Sequence, residues 1–260
     1  MKIGLTESSA LAGGKDIIQS AVNFGVDGIE PFVLETDSGY FSWSKKECDV
    51  FKKKADDCNI AIPSIALGAF INNSSLVEKD NAKSAVEILK KSFDFCKSLG
   101  GSSILLCTYF ASNPNSEEKR KALLDVINSV EPLARQQNIT IALESPTPAA
   151  DLVKMVEQIN SKYFSVYFDV GNAIASGGNP VEDIAILKKH ISNVHIKDST
   201  GSTAGLHLDR GLLDLNAVLK SFNAIRYNSW FMLETPGDNK EEVEKDILIL
   251  RNIIKETFVS

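Results

Sequence analysis

Short apolar runs alternate with amphipathic runs from one end of this 260-residue chain to the other, and that alternation restricts the fold more than any other feature. "KIGLT" precedes a helical pattern from Lys15 to Phe24, and "DGIEPF" precedes one from Ser44 to Cys58. "IAIPSIAL" leads into Glu78–Leu99, "SSILLC" into Glu117–Gln137, and "TIALES" into Ala149–Ile159. "FSVYFDV" is followed by Pro180–His190, "ISNVHIKD" by Asp214–Phe222, and "WFMLET" by Lys240–Thr257. About eight strand–helix units in a chain of this length have the size and rhythm of an α/β fold of the (β/α)8 barrel type. Punctuation agrees with that reading. Leu99-Gly100-Gly101 supplies a helix stop, while Ser44 and Asn179-Pro180 supply starts. An open doubly wound sheet is the structural rival, but no glycine-rich fingerprint follows the first strand. With no linker or change of composition along it, the chain reads as a single barrel domain, residues 1–260.

Charge and cysteine usage then narrow the classes of partner. A net charge of −6 offers no basic face for nucleic acid and disfavours an anionic membrane surface. No apolar run reaches membrane-spanning length, and the N-terminal "MKIGLTESSALAGGK" has too short an apolar stretch for a signal peptide. Cys48, Cys58, Cys96 and Cys107 show no C-x-x-C spacing, which suits reduced thiols in a cytoplasmic protein rather than a disulfide framework or zinc cluster.

The chemistry is concentrated at strand ends. In a barrel of this kind the reactive groups lie at the carboxyl ends of the strands. Four successive late strands close on Glu144, Asp169, His195 and Glu234. Side chains alternate across a strand, so parity tests whether these groups share a face. Glu144 sides with Ala142, Asp169 with Tyr167, His195 with Asn193 and Lys197, and Glu234 with Met232. The opposite faces carry Ile141, Leu143, Val166, Phe168, Val194, Ile196, Phe231 and Leu233, which suit packing under the outer helices. All four ionisable groups are therefore expected to point inward. Three converging carboxylates would repel one another and take up protons unless a cation sat between them. One imidazole with three carboxylates is a donor set that hard or borderline divalent ions accept.

At these residues the chain resembles the sugar phosphate isomerase/epimerase group, whose fold is the xylose isomerase-like TIM barrel. "ALESP", "FDVGNA", "VHIKD" and "FMLE" look like that group's four metal-bearing strand ends, in the same order. The comparison is best with ketose 3-epimerases of the tagatose type and with hydroxypyruvate isomerase. The resemblance implies that Glu144, Asp169, His195 and Glu234 hold one divalent metal ion, commonly Mn2+, with Mg2+, Co2+ or Zn2+ as alternatives. It further implies that Glu144 and Glu234 are the acid/base pair. The reaction would move a proton beside a carbonyl through an enediolate, on a small sugar or sugar phosphate.

Several neighbouring residues are candidates for substrate contact. Lys197 is placed either to support substrate oxygens or to pair with a nearby carboxylate. Gly171 would keep the turn after Asp169 open, with Asn172 facing substrate where several 3-epimerases carry histidine. No second acid follows Glu144 in "ESPTPAADL", which with Asn172 argues against a close tagatose-epimerase specificity. The loop "DSTGSTAGLHLDRG" brings His207 and Arg210, suited to a phosphate or an acidic group or else simply solvated. Glu30 would contact substrate hydroxyls or form an ion pair. Trp43 and Phe70 offer an apolar wall or ordinary packing.

Three rival activities are consistent with the same scaffold. An inosose-type dehydratase would use the same metal set. An apurinic-site endonuclease would need a histidine-rich metal cluster, and this chain has only His190, His195 and His207. A non-catalytic sugar-binding protein would leave the paired acids without a role. Such a barrel could also assemble as a homo-oligomer.

Overall fold

The second expected strand is cut in two by Pro31, and the third, "IAIPSIAL", is interrupted before Ser64, with Ala61 left as an isolated bridge to Gly28. The computed structural model describes residues 1–258. Its strands are β1 (Lys2–Thr6), β2 (Gly28–Glu30), β3 (Phe32–Val33), β4 (Ser64–Leu67), β5 (Ser103–Cys107), β6 (Thr140–Glu144), β7 (Phe164–Asp169), β8 (Ile191–Ile196) and β9 (Trp230–Leu233). The α-helices are α1 (Glu7–Ala10), α2 (Ile17–Phe24), α3 (Lys45–Asp57), α4 (Ala82–Ser98) and α5 (Glu117–Gln137). They continue with α6 (Ala149–Ile159), α7 (Val170–Ala175), α8 (Pro180–Leu187), α9 (Leu215–Ala224) and α10 (Lys240–Thr257). Among the described residues no helix is long and apolar enough to cross a membrane.

Local chemistry sets the helix boundaries. The side chains of Asp16, Ser116, Asn179, Asp214 and Asn239 each accept a backbone N–H from the first turn of the helix they precede. Left-handed residues stop three of the helices: Gly25 after α2, Asn138 after α5 and Asn160 after α6. The expected helix over Glu78–Leu99 starts later, because Lys79–Asn81 form a 3-10 turn before α4. The expected helix over Pro180–His190 ends its α-helical part at Leu187.

The chain forms two compact units. The first comprises Met1–Glu30, Cys58–Ala61 and the chain from Tyr167 onward; the second comprises Pro31–Asp57 and Ile62–Val166. The strands lie in the order β2-β1-β9-β8-β7-β6-β5-β4-β3. Within the first unit, β1 pairs in parallel with both β2 and β9, and β9 with β8. Within the second, β6 pairs with the start of β7 at Leu143↔Val166, then β5, β4 and β3 follow, also in parallel. The two ends of the order, β2 and β3, are consecutive in the chain with only Pro31 between them. Pro31 has no N–H to give to a ladder, so the strand breaks there, while its carbonyl still accepts from Ala66 N. In the first unit, Gly28 bridges Ala61, where a Cβ would stand 2.8 Å from the Ala61 carbonyl oxygen and 2.9 Å from the Trp230 ring.

The aliphatic strand faces are buried as parity predicts. Ile3, Leu5, Val194, Ile196, Phe231 and Leu233 are buried in the first unit, and Ile65, Leu67, Ile104, Leu106, Ile141 and Leu143 in the second. Each such side chain contributes about 1.5–3 kcal/mol by leaving water, which holds the strands while their other faces carry polar groups. Cys48, Cys96 and Cys107 are buried thiols and Cys58 is half-buried. Trp43 packs with Tyr40, Phe51 and Phe95, and Phe70 is fully buried, so both serve packing in the second unit.

Candidate active site

Asp169 closes β7 and at the same time starts a helix. The turn expected to stay open after it is the first turn of α7, because Asp169 Oδ1 accepts the Asn172 N–H at 2.9 Å. That bond fixes the carboxylate and leaves Oδ2 for other work. Gly171 is required for a different reason from an open turn. A Cβ there would lie 2.5 Å from Lys197 Cγ and 3.0 Å from the Lys197 carbonyl oxygen. Asn172 is buried in the same turn.

β8 delivers His195 and, just past its end, Lys197, with the side chains of both almost fully buried. The His195 ring has carboxylates near both nitrogens. Nε2 lies 2.7 Å from Glu30 Oε1, while Nδ1 lies 3.2 Å from Glu234 Oε2 and 3.9 Å from Asp169 Oδ2. Lys197 Nζ stands 2.7 Å from Glu234 Oε2 and 2.8 Å from Asp169 Oδ2. Glu234 follows β9, and its N–H bonds to the Ile196 carbonyl, which keeps it in register beside β8. Its side chain is 28% exposed, against 1–2% for Asp169 and His195, so Glu234 is the member of this group that meets solvent. Asp169, His195, Lys197 and Glu234, four polar residues at or just past three strand ends, thus converge within the first unit.

The electrostatics follow from that crowding. Burial raises the Asp169 carboxyl, and the nearby Lys197 ammonium only partly offsets this. Burial also pulls Glu234 upward, but the His195 and Lys197 charges prevail and hold it well below the usual carboxylate range. For His195, burial favours the neutral ring, yet the charges of Glu234 and Glu30 raise it well above its ordinary value. The cluster therefore holds positive charge firmly.

The donor set fits a divalent cation. The ammonium's hydrogen bond goes to Glu234, leaving Asp169 Oδ2 and His195 Nδ1 buried without a hydrogen bond of good geometry. Buried polar atoms in that condition are costly unless something else satisfies them. Carboxylate oxygens beside an imidazole nitrogen are suitable ligands for hard and borderline ions.

In the second unit, Glu144 is the last residue of β6, opposite Cys107 on β5, and is buried. Its carbonyl accepts from both Thr108 N and Thr108 Oγ1, at 2.9 and 3.0 Å. After it, the Ser145 and Thr147 hydroxyls bond to each other in a tight turn.

Two sequence candidates lie along the loop after β8. His207 is held by α10 and the chain before it, with Nδ1 2.6 Å from Asp246 Oδ2 and Nε2 3.2 Å from Asp238 Oδ1. Arg210 pairs with Glu242 at 3.0 Å. The residue that organises this loop, Asp198, carried no sequence signal. Its buried carboxylate accepts the N–H groups of Ser199, Arg210, Gly211 and Leu213 at 2.7–3.1 Å. Glu30, another candidate, is fully buried at the end of β2 and bonds to His195 and to the Tyr167 hydroxyl.

Comparison with known proteins agrees with this architecture. The family model for the xylose isomerase-like TIM barrel matches residues 18–253. L-ribulose-5-phosphate 3-epimerase UlaE of Escherichia coli K12 is 24% identical, over 97% of this chain and 93% of the relative. A D-tagatose 3-epimerase-like protein superposes with a TM-score of 0.82 at 20% identity, covering 99% of this chain and 98% of the other. The IOLI protein, whose structure has a bound zinc atom, superposes at 0.79 with 19% identity and complete coverage of both chains. The chain belongs to the xylose isomerase-like TIM barrel family.

Proposed function

We propose that this protein is a divalent-metal-dependent sugar or sugar phosphate epimerase of the isomerase class. The observation that carries the proposal is the meeting of Asp169, His195, Lys197 and Glu234 at or just past the ends of β7, β8 and β9, with two buried donor atoms left over. In this reading Glu144, Asp169, His195 and Glu234 hold one cation, and the first three offer buried donors. The names of the epimerase relatives and the zinc-bound IOLI structure support the same assignment. Mn2+ is the ion we assign, following the resemblance at the four strand ends.

A bound divalent cation would polarise a carbonyl and offset the negative charge that develops as the neighbouring C–H bond breaks. The chain's own groups do the proton transfer. One of Glu144 and Glu234 removes the proton from the carbon beside the carbonyl, and the other returns one on the opposite face. Glu234 suits this role because it is held ionised yet reaches solvent. Lys197 can donate hydrogen bonds to substrate oxygens from its place between Asp169 and Glu234. Asn172, in the turn after Asp169, donates to or accepts from a substrate hydroxyl, and His207 and Arg210 would serve the phosphate of a phosphorylated substrate only by leaving their carboxylate partners Asp246, Asp238 and Glu242. The name of the UlaE relative favours a ketose phosphate, and the net charge of −6 favours a small molecule over nucleic acid or membrane as partner. Cysteines kept as thiols go with a cytoplasmic location.

The test is solvent exchange. Metal-loaded protein with a panel of ketoses and ketose 5-phosphates in deuterated water should incorporate deuterium at the carbon next to the carbonyl and yield the epimer. Normal exchange in both Glu144→Gln and Glu234→Gln would refute the acid/base assignment, and a dehydrated product would make the protein a lyase.

A further inference from the structure

We propose that Glu30 is a positioning residue for the metal, acting through His195. The inference rests on the reading of His195 as a ligand. A carboxylate with no exposure at all is expensive to bury and persists only when its oxygens are satisfied. Glu30 is satisfied from two other strands. Oε2 accepts from the Tyr167 hydroxyl on β7 at 2.8 Å, and Oε1 lies 2.7 Å from Nε2 of His195 on β8. Tyr167 is itself fully buried, and its ring centroid lies 4.5 Å from that of His195. Backbone on β2, β7 and β8 therefore fixes the carboxylate, the hydroxyl and the imidazole independently.

The consequence lies in the tautomer. A carboxylate facing Nε2 can only accept, so Nε2 keeps its proton, and the nitrogen that gives up a proton to a metal, and so offers the lone pair, is Nδ1. Nδ1 is the nitrogen that faces Asp169 and Glu234, and it is the one left without a hydrogen bond of good geometry. The hydrogen bond from Nε2 also makes Nδ1 a better electron donor and fixes the ring's plane, as carboxylate partners of metal-bound histidines do. Tyr167 in turn aims the carboxylate. Full burial removes Glu30 from direct contact with substrate, so its effect reaches the reaction through the ligand.

The test uses Zn2+, a diamagnetic ion, on the whole chain with its histidine rings labelled with 15N. With three histidines in the sequence, the spectrum is simple, and His195 is assigned by its loss in His195→Gln. In the wild type with Zn2+ bound, the His195 ring should show a metal-bound Nδ1 and a slowly exchanging Nε2 proton. Ligation through Nε2 would overturn the proposal without any variant. Affinity measured against a competing chelator should fall roughly 10- to 100-fold in Glu30→Gln and by less in Tyr167→Phe. A folded Glu30→Gln that binds Zn2+ as tightly as the wild type would also overturn it. If the wild type itself binds no Zn2+, the metal reading fails at its root, a result distinct from equal binding by wild type and variant.

Discussion

The strand ends of the two units differ in kind. In the first unit, β7, β8 and β9 lead into Asp169, His195, Lys197 and Glu234, and β2 ends in Glu30. In the second, β3, β4 and β5 end in Val33, Leu67 and Cys107, and Glu144 is the one carboxylate among the ends of β3 to β6. The loops that follow differ as well. Residues 108–113 are joined to 70–73 by neutral bonds, with Ala111 N–H donating to the Ile71 carbonyl and the Ser112 hydroxyl to that of Phe70. The first unit's loop after β8 hangs instead on the carboxylates of Asp198 and Asp246. One unit is held mainly by apolar burial and neutral hydrogen bonds, and the other adds a charged network. The Asp169–His195–Lys197 cluster and the loop after β8 should accordingly answer to ions and pH more than the apolar core of the second unit does.

The largest expected effect comes from removing the ammonium. Lys197→Met leaves the buried Asp169 carboxylate without its ammonium partner, and breaking such a buried pair costs about 3–5 kcal/mol. Denaturant unfolding in a chelator should show that loss, and excess divalent ion should restore part of it, since a bound ligand stabilises the folded state by mass action. Leu106→Ala, at a fully buried position on β5, should cost about 2–5 kcal/mol and do so equally with and without metal. Equal metal responses in the two variants would erase the contrast between the units.

Much of this contrast was readable in the sequence, and what was not readable depends on distance along the chain. The placement of Asp169, His195 and Glu234 needed only strand parity and a barrel, because alternation along a short strand is local. The break at Pro31 was also local and could have been read from the missing N–H. The short helix α7 had a signal that the strand reading hid: an aspartate three residues ahead of the amide it caps, in "DVGN". Asp198 left no such trace, and Glu30 stood out only as a substrate contact or an ion-pair member with no partner named. Glu30 meets His195 across 165 residues of sequence, and Asp198 takes its last amide from Leu213, 15 residues on, so only the folded chain reveals either role.

Asp198 offers a sharper test of the charged network than the core does. Asp198→Asn keeps the shape but turns an amide N–H2 toward N–H groups that had faced an anion. The loss should be about 1.5–3 kcal/mol, the worth of a hydrogen bond to a charged group. The effect should be local, because loops open independently of the core. Hydrogen exchange should accelerate at Arg210, Gly211 and Leu213 while the amides of β4 and β5 keep their protection. Unchanged exchange at those three residues would show that the loop is held by something other than Asp198.

The smallest expected effect is one of pH, at His207. Burial favours its neutral form, but the hydrogen bonds it donates to Asp246 and Asp238 prevail and raise it above its ordinary value. Glu242, in the first turn of α10, adds negative charge nearby. A group raised on folding contributes stability that is complete below its unfolded value of about 6.5 and is lost as pH climbs through the folded value. The Leu208 N–H, which donates to the other oxygen of Asp246, reports on this directly. Its protection factor, corrected for intrinsic exchange, should be greatest in mild acid and decline through neutral into alkaline solution. His207→Gln should flatten that decline, whereas amides of β5 should show no such profile in either protein. A wild-type Leu208 protection factor independent of pH would mean that Asp246 holds the loop through the backbone alone, and the imidazole would lose its part in distinguishing the two units.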